Sequence, residues 1–405
     1  MSEEVSIIFM AQCKNTFKQL RNIAKKLTRV FVRVFICGIM LCSVACVCYG
    51  DEVDKVIEPN QTHANTHTNT HSNTYDTRAT NTHSKHSLYL IYENDSNFDS
   101  RVDKYYTAGS RLAYYSKTFG LDSRANQILR YFGIFSLFHK DENLSSFSVN
   151  LSQEIYAPKD RFSPIPPAND HPYGGFLYAQ FGAINKSSRF LEQFELSLGM
   201  VGKASLAQQT QNLIHKLTNN KLLAGWDTQL KNEFIFNLFY RISYRYAFSE
   251  SLARYLDMMP QASFALGNAK IFAQLSLITR FGYNLSPHTL SLNQNSGFAS
   301  APIAYTPHIS IYGFVGVGGR VVGRNIFLEG NSFAKHRTYR TSDLTLDSAL
   351  NSSFDVERVI GEFIWGVALD YKCFHIGYSV IHRSKEFSTQ DGFLTYGSIM
   401  LGVSF

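Results

Sequence analysis

The feature that most constrains the fold is a two-residue alternation of side-chain character along many long segments. Between Glu233 and Tyr246 the even positions are all aromatic or aliphatic, whereas the odd positions include Arg241 and Arg245. Residues 358–371 and 190–201 alternate in the same way. Because side chains of a β-strand point alternately to two faces, each segment predicts a strand with one apolar and one polar face.

A soluble β-sandwich and a membrane β-barrel would both show this alternation. Three observations favour the barrel: many segments are about ten residues or longer, aromatic residues crowd the segment ends, and the last strand ends on Phe405. Such a terminal aromatic strand resembles the end of bacterial outer-membrane barrels. No stretch of roughly 20 apolar residues follows residue 50, which excludes a helical membrane protein. The prediction is an all-β fold, a transmembrane antiparallel β-barrel.

We predict about twelve strands, an even number that suits a single-chain bacterial barrel. The predicted strands are 88–95, 105–116, 145–156, 174–186, 190–201, 232–247, 258–267, 271–284, 307–320, 357–371, 373–383 and 395–405. If the N-terminus is periplasmic, the end of the first strand, the start of the second and loops 157–173 and 202–231 all lie on the extracellular side. Every candidate polar motif then collects at one rim of the barrel.

One short helix is predicted in an extracellular loop, within Lys203–Trp226. An apolar side at helical spacing comprises Leu206, Thr210, Leu213, Ile214 and Leu217, and the opposite side carries Gln208, Gln211, His215 and Asn219. Asn219-Asn220 is a suitable C-terminal stop. We expect the apolar side to be buried and the histidine side to be presented. The alternative interpretation is a loop helix whose polar side is exposed to water and has no functional role.

The first 50 residues have the pattern of a signal peptide. Seven basic and two acidic residues precede the apolar run Val34–Cys48, and cleavage is expected near Gly50. The remaining chain carries 32 basic and 30 acidic residues, so its charge gives no case for nucleic-acid binding. Five of six cysteines lie in this leader, which leaves Cys373 and no internal disulfide. A lipoprotein site at Cys46 is disfavoured by its poor surrounding motif.

Residues 51–87 are predicted to be a disordered linker rich in Asn, Thr and His, because they contain too little apolar surface to offset the entropy of ordering. Its histidines could bind a transition metal, although a spacer is the stronger interpretation. The barrel is then expected to occupy residues 88–405.

Two polar motifs at the predicted rim carry candidate chemistry. Glu93-Asn94-Asp95 closes the first strand, and residues 103–109, which include Thr107, open the second. Hard oxygen ligands beside a hydroxyl could hold Ca²⁺ or polarise an ester carbonyl, and they could equally form an ordinary polar hairpin rim. Strict alternation places Asn94 and Asp95 on opposite faces, so a bulge or strand end is required there. Lys159 and Arg161 in the next outer loop could face anionic phosphates or be solvated.

These segments resemble the outer-membrane lipid A 3′-O-deacylases, twelve-stranded barrels that trim lipopolysaccharide. The matching pieces are END at 93–95, DKYYTAG at 103–109, QEIYAP at 153–158, DHPYGG at 170–175, residues 196–233 and GRNIFLEGNSF at 323–333. Together they span most of residues 88–405, and their order and spacing make the resemblance fairly specific.

The resemblance implies a role for each matching residue. His215 would be the general base that activates water, and Asn94, Asp95 and Thr107 would complete the catalytic site. Ca²⁺ would be the cofactor, with Asn94 and Asp95 as metal ligands. Lys159 would be a cation near the substrate, and Arg161 is its rival because the loop spacing differs. The implied partner is lipid A in the outer leaflet, and the protein is expected to be a monomer.

The sequence departs from the family pattern at several positions. His171 and Gly174 stand where the family commonly has Arg and Ala, and Lys221 stands where some members have an acidic residue. Residues 117–144 and the Asn/Thr/His linker look like additions. Ser110 and Ser205 are candidate nucleophiles, but neither lies in a G-x-S-x-G motif, so direct attack by water is preferred.

Two other functions remain open at this point. A Ca²⁺-dependent outer-membrane phospholipase would use the same residue types on another lipid ester. A passive porin or adhesin barrel would need an open lumen or exposed loops but no histidine helix.

Overall fold

The computed structural model describes residues 85–95, 104–134, 144–187, 189–249, 251–286, 306–332 and 354–405. Twelve antiparallel strands form a closed barrel in which sequential strands are neighbours and β1 pairs with β12. This confirms the predicted fold class. The predicted signal peptide and almost all of the predicted linker lie outside the described residues.

The predicted strands are all present, with ends that differ by a few residues. The strands are β1 (Ser87–Asn94), β2 (Tyr105–Tyr115), β3 (Leu144–Ala157), β4 (Gly174–Lys186), β5 (Phe190–Val201), β6 (Glu233–Tyr244), β7 (Leu256–Gly267), β8 (Lys270–Tyr283), β9 (Thr306–Asn325), β10 (Val359–Lys372), β11 (Phe374–Arg383) and β12 (Leu394–Ser404). The largest difference is in β9, which continues to Asn325 instead of ending near residue 320.

Three short α-helices accompany the strands among the described residues. They are α1 (Arg124–Leu129), α2 (Ala207–Thr218) and α3 (Ile326–Glu329). The predicted helix corresponds to α2, whereas α1 and α3 were not predicted. None of the helices in these parts of the chain is long and apolar enough to span a membrane.

The outer face of the barrel is apolar and the inner face is polar, as the alternation predicted. On β6 the exposed positions include Phe234 and Phe236, and on β10 they include Phe363 and Val367. The residues between them point inward and are largely buried. This arrangement suits a barrel whose outer wall contacts lipid, because lipid tails solvate apolar side chains and the closed ladder leaves no unpaired edge.

Ion pairs fill part of the barrel interior. Asp257 accepts hydrogen bonds from Arg280 at 2.9 and 2.5 Å and from Arg245 at 2.7 Å, and Asp257 and Arg280 are both fully buried. In the same way Glu362 pairs with Arg383 at 2.6 Å and with Arg320. Each of these buried charges therefore has an opposite charge and directed hydrogen bonds beside it, which offset the cost of burying it.

Aromatic side chains fill another part of the interior. Tyr106 packs against Tyr156 and Tyr396, with ring centroids 5.4 and 4.9 Å apart, and Phe327 of α3 stacks on Tyr156 at 4.0 Å. All four side chains are buried. The described interior is thus packed with side chains, which argues against an open porin channel.

We expect Asp257→Ala to lower the free energy of unfolding by about 3 kcal/mol, because Arg280 would stay buried without its opposite charge. Urea titration of the reconstituted barrel, read from the mobility difference between folded and unfolded protein in electrophoresis, measures the loss. Asp227→Ala is the matched control, since Asp227 is exposed and pairs with Lys203 only at the surface, 3.6 Å away. Equal stability of the two variants would contradict the role assigned to Asp257.

Candidate functional site

A row of four outward-facing residues marks the candidate site at one end of the barrel. Asn94 pairs with Ala108, Ala108 with Ile155, and Ile155 with Gly175, so the row crosses β1 to β4. The alternation along each strand places these residues on the outer wall, on the same side as the lipid-facing residues. Ile155 is nevertheless buried, because another part of the chain covers the wall here.

A strand end and a β-bulge set the positions of Asn94, Asp95 and Thr107. β1 ends at Asn94, so Asp95 is released from strict alternation, as the sequence required. On β2 the register with β3 shifts across Thr107, which makes Thr107 the extra residue of a bulge. The Asn94 side chain donates from Nδ2 to the Thr107 carbonyl at 3.0 Å, and Thr107 Oγ1 donates to the Ile155 carbonyl at 3.2 Å.

Asp95 links the end of β1 to the residue before β2. Its Oδ2 accepts a hydrogen bond of 2.6 Å from the backbone N–H of Lys104, and the residue is buried. Glu93 of the same motif points into the barrel and accepts from the Tyr106 hydroxyl at 2.5 Å. Asp103, which opens the second motif, lies outside the described residues. Asp95 therefore stands next to Asn94 at the point where the wall ends.

Helix α2 lies on the outer wall with its polar side inward. The contacts of α2 are with β3 and β4, and its buried residues are Ala207, Gln211 and His215. The exposed apolar residues are Leu206, Leu213 and Leu217, with Leu213 58% and Leu217 78% exposed. The expectation of a buried apolar side is wrong, because the helix packs against the outside of a membrane barrel, where its outer side meets lipid rather than water.

A close approach between β4 and the start of this loop holds the helix against the wall. A Cβ at Gly175 would lie 2.2 Å from both Ala207 Cβ and Ser205 Oγ, so only glycine fits there. Gln153 of β3 donates to the Ser205 carbonyl at 2.7 Å. The Ser205 hydroxyl is buried and donates to the Gly202 carbonyl at 2.6 Å, which gives it a structural role rather than that of a nucleophile. An apolar cluster completes the contact: Ala108, Ile155, Ala157, Tyr173, Ala207, Leu223 and Trp226.

The ring of His215 is oriented by the backbone that follows the helix. Its Nδ1 lies 2.7 Å from the Lys221 carbonyl oxygen. Since a carbonyl oxygen can only accept, Nδ1 carries the proton, and Nε2 of the neutral ring is the proton acceptor. The chain turns back towards the ring because the helix ends at Asn219, which has a left-handed backbone with φ 59°, as predicted for the stop. The bond uses the backbone of residue 221, so the lysine in place of an acidic residue leaves it intact.

Lys159 is paired with an aspartate from a distant loop. Its Nζ lies 2.8 Å from Asp391 Oδ2, and Lys104 Nζ lies 3.4 Å from the same atom. The hydrogen bond from Lys159, with the charge of Lys104, lowers the pKa of the Asp391 carboxyl, and the same bond raises the pKa of Lys159. The backbone N–H of Asp391 donates to the Tyr105 hydroxyl at 3.0 Å. Two lysines and one carboxylate thus meet above the start of β2.

Arg161 contacts the loop that follows the histidine helix. Its guanidinium stacks on the Phe162 ring at 5.2 Å, and Lys221 Nζ lies 4.3 Å from the same ring. The backbone carbonyl of Arg161 accepts hydrogen bonds from the Tyr173 hydroxyl at 2.7 Å and from the Ala224 backbone N–H at 3.2 Å. Lys159 and Arg161 therefore belong to two different cationic groups.

Several residues of the matching motifs have structural roles that sequence reasoning did not assign. His171 stacks on Tyr156 with ring centroids 5.6 Å apart, and the same Tyr156 ring also stacks on Phe327. Glu233 accepts hydrogen bonds from the hydroxyl and the backbone N–H of Ser332, which fastens the segment after α3 to the start of β6. The sequence marked these residues only by their place in the matching motifs. A motif match does not distinguish a residue that supports the structure from a residue of the site.

The structure thus brings Asn94, Asp95 and Thr107 together and places the helix of His215 on the adjoining wall. No group of three or more His, Cys, Asp or Glu side chains that could hold a metal is found among the described residues. A metal ion here would rely on the Asp95 carboxylate together with neutral oxygens of Asn94 and Thr107. That set of hard oxygen donors fits Ca²⁺, which accepts carboxylate, carbonyl and water ligands.

Comparison with known proteins places this geometry in a family. The family model for outer membrane protein LpxR matches residues 64–405. LpxR from Salmonella typhimurium superposes with a TM-score of 0.61 at 18% identity, over 79% of this chain and 100% of that chain. No curated protein sequence matches the chain.

Two other solved barrels align less well. The β domain of the Bordetella autotransporter Brka has a TM-score of 0.38 at 10% identity over 80% of this chain and 100% of that chain, and the KdgM porin has 0.30 at 8% over 79% and 99%. These scores are too low to support an argument. Because the family model covers all twelve strands and every site residue, the chain belongs to the family of outer membrane protein LpxR.

Proposed function

We propose that this outer-membrane protein is a lipid A 3′-O-deacylase, a carboxylic ester hydrolase that removes the 3′-linked acyl or acyloxyacyl chain. One observation carries the proposal: His215, with its proton fixed on Nδ1, is held on the outer wall of the barrel by a helix whose other side is apolar. A lipid in the bilayer can reach such a group without entering the packed interior.

The helix geometry supports a site between His215 and the residues at the end of β1. Ala207 lies over Gly175 of β4, and α2 contacts both β4 and β3. At a rise of about 1.5 Å per residue, His215 lies about 12 Å along the axis from Ala207, which spans roughly two strand spacings of about 4.8 Å. We infer that α2 runs from β4 towards β2, so His215 approaches Thr107.

In the proposed reaction His215 Nε2 takes a proton from water as the water oxygen attacks the ester carbonyl carbon. The tetrahedral intermediate then collapses, the bond between the carbonyl carbon and the sugar oxygen breaks, and His215 returns the proton to that oxygen. The products are a free fatty acid and lipid A with a free 3′ hydroxyl group. The Lys221 carbonyl keeps the ring in the required tautomer throughout.

Asn94 and Asp95, with oxygens of Thr107, would hold Ca²⁺ beside the reacting ester. The hydrogen bond from Asn94 Nδ2 to the Thr107 carbonyl leaves Oδ1 as the amide atom that would coordinate. Bound Ca²⁺ would supply positive charge next to the carbonyl oxygen that becomes an oxyanion. Asp95 would be the one carboxylate ligand, through Oδ1, while its Oδ2 keeps the hydrogen bond from the backbone N–H of Lys104.

Lys159 and Arg161 would bind the anionic groups of the lipid A headgroup. Lys159 would do so beside Lys104, and Arg161 beside Lys221. Both lie on the loop that follows β3, at the same end of the barrel as His215. This end would face the extracellular side, because lipopolysaccharide occupies the outer leaflet. The active form is proposed to be a monomer.

The first test is mass spectrometry of lipid A from cells that express the chain. We expect loss of the 3′ acyl or acyloxyacyl mass with the intact protein, and at least a 100-fold slower loss with His215→Ala because the base is missing. A Ca²⁺ chelator added to isolated membranes should also stop the reaction. His308→Ala is the matched control, since His308 is exposed on β9 far from the site.

Unchanged lipid A with a correctly folded barrel in the outer membrane would contradict the deacylase proposal. Fatty acid released instead from phospholipid vesicles that lack lipopolysaccharide would identify the chain as a phospholipase. Full activity of His215→Ala would remove His215 from the mechanism while leaving the substrate assignment in place.

A second prediction concerns the contact that holds α2 on the wall. We expect Gly175→Ala to reduce deacylation by one to two orders of magnitude, because the new Cβ displaces α2 by about 1 Å or more and misplaces His215. Initial rates on purified lipopolysaccharide measure the effect. Gly361→Ala is the matched control, because nothing lies within 4 Å of a Cβ at that position. Equal rates for the two variants would show that the close approach does not position the helix.

A further inference from the structure

A second polar patch lies on the outer wall, at the end of the barrel opposite the candidate site. Ser145 pairs with Asn185, and Asn185 pairs with Glu192, so these three residues form a row across β3, β4 and β5. By the alternation of each strand they face outward, where lipid-facing residues are expected. All three are nevertheless buried.

Hydrogen bonds connect this row internally. Ser145 Oγ donates to Asn185 Oδ1 at 2.6 Å. Glu192 accepts a hydrogen bond from the hydroxyl of Tyr240, an outward-facing residue of β6. A carboxylate on the lipid side of a membrane barrel is costly unless something shields it and satisfies its oxygens.

The shield is the segment 120–134, which we call the wall segment. The Asn126 side chain in α1 accepts from the Ser145 backbone N–H at 2.6 Å, and the Asn185 side chain donates to the Leu129 carbonyl at 3.3 Å. The Ile134 backbone donates to the Tyr240 hydroxyl. The wall segment therefore contacts three of the four polar residues directly and lies against the outside of the barrel.

The other side of the wall segment is apolar and exposed. Ile128 is 60%, Tyr131 76% and Ile134 56% exposed, and Phe132 is also exposed. The Phe132 ring lies 5.5 Å from that of Phe194, an outward-facing residue of β5, so the patch is continuous with the lipid-facing surface. A contiguous apolar patch of this kind marks an interaction site.

Position and charge identify the partner. Ser145 and Asn185 lie one residue inside their strand ends, and Glu192 lies two residues inside, so the wall segment sits at the level where a bilayer meets water. The wall segment and its flanks carry four cationic residues, Lys117, Arg124, Arg130 and Arg189. The exposed acidic residue among the described residues there is Asp122. Tyrosine and apolar side chains flanked by Arg and Lys suit the interface of an anionic phospholipid leaflet.

We propose that the wall segment is an interfacial anchor that binds the glycerophospholipid leaflet opposite the candidate site. Ile128, Tyr131 and Ile134 insert at the boundary between headgroups and acyl chains. Lys117 and Arg124 contact the lipid phosphates and give a preference for anionic phospholipid. The anchor fixes how deep this end of the barrel sits in the membrane, and the identity of its leaflet rests on the orientation given by the proposed function.

The test places a fluorescent side chain on the patch. Tyr131→Trp barrels are reconstituted in vesicles of phosphatidylcholine and phosphatidylglycerol, in which about one lipid in five is phosphatidylglycerol. In one sample the phosphatidylcholine carries brominated acyl chains, and in a second sample the phosphatidylglycerol carries them. We expect the added emission to be blue-shifted and quenched by both brominated lipids, and at least two-fold more strongly per mole by brominated phosphatidylglycerol. Phe363→Trp, on the lipid-facing surface of β10, is the positive control.

Three outcomes would overturn the proposal. Emission quenched by iodide and not by brominated lipid would place Tyr131 in water. Equal quenching per mole by the two lipids would remove the anionic preference. A preference that survives Lys117→Glu with Arg124→Glu would contradict the role assigned to these two cations. Quenching that disappears as the ratio of protein to lipid rises would indicate that a second copy of the chain covers the patch. Ile128→Trp repeats the measurement if the Tyr131 variant fails to fold.

Discussion

Every backbone N–H and C=O group inside a bilayer must find its partner within the protein, and this constraint governs the whole structure. The pairing of β1 with β12 meets it by closing the barrel. Once the barrel is closed, each strand has one side towards lipid and one towards the interior, so the two-residue alternation becomes an apolar outer wall and a polar, packed inside. The ion pairs around Asp257 and Glu362 follow from the same constraint, because charged residues that point inward can be stable only when they are paired.

The constraint also explains why polar residues on the outer wall are covered. At one end, Asn94 and Thr107 lie on the outer wall at β1 and β2, α2 packs its histidine side on the neighbouring β3 and β4, and the apolar side of α2 points outward. At the other end, Ser145, Asn185 and Glu192 lie beneath the wall segment, whose apolar side chains also point outward. Both ends use the same device, which is a non-strand segment with its polar side on the wall and its apolar side towards the membrane.

A site on the outer wall has consequences for substrate access. The proposed substrate is a lipid that stays in its leaflet, and a group on the lipid side of the wall can meet it there, whereas the interior is filled by residues such as Tyr106 and Tyr156. The cationic residues Lys159 and Arg161 lie on the loop beside the helix, and the carbonyl of Lys221 sets the histidine tautomer. Recognition of the headgroup and activation of water would thus be placed side by side at one edge of the barrel.

The sequence by itself determined the strands, the polarity of their two faces, the end of α2 at Asn219 and the motifs that carry the candidate site. These are local properties, since a strand has a period of two residues and a left-handed asparagine ends a helix. The strand end at Asn94 was also required by local geometry, because two adjacent residues of a strand cannot face the same side.

Only the tertiary structure decided which side of α2 is buried and what covers the polar row of β3 to β5. A helical period shows that a helix has two unlike sides, but it does not show whether the surroundings are water or lipid. The tight fit of Gly175 against Ala207, the pairing of Lys159 with Asp391 and the contact of Asn126 with Ser145 all join residues far apart in the chain. Such contacts depend on how the closed barrel brings separate loops together, and no periodicity in the sequence records them.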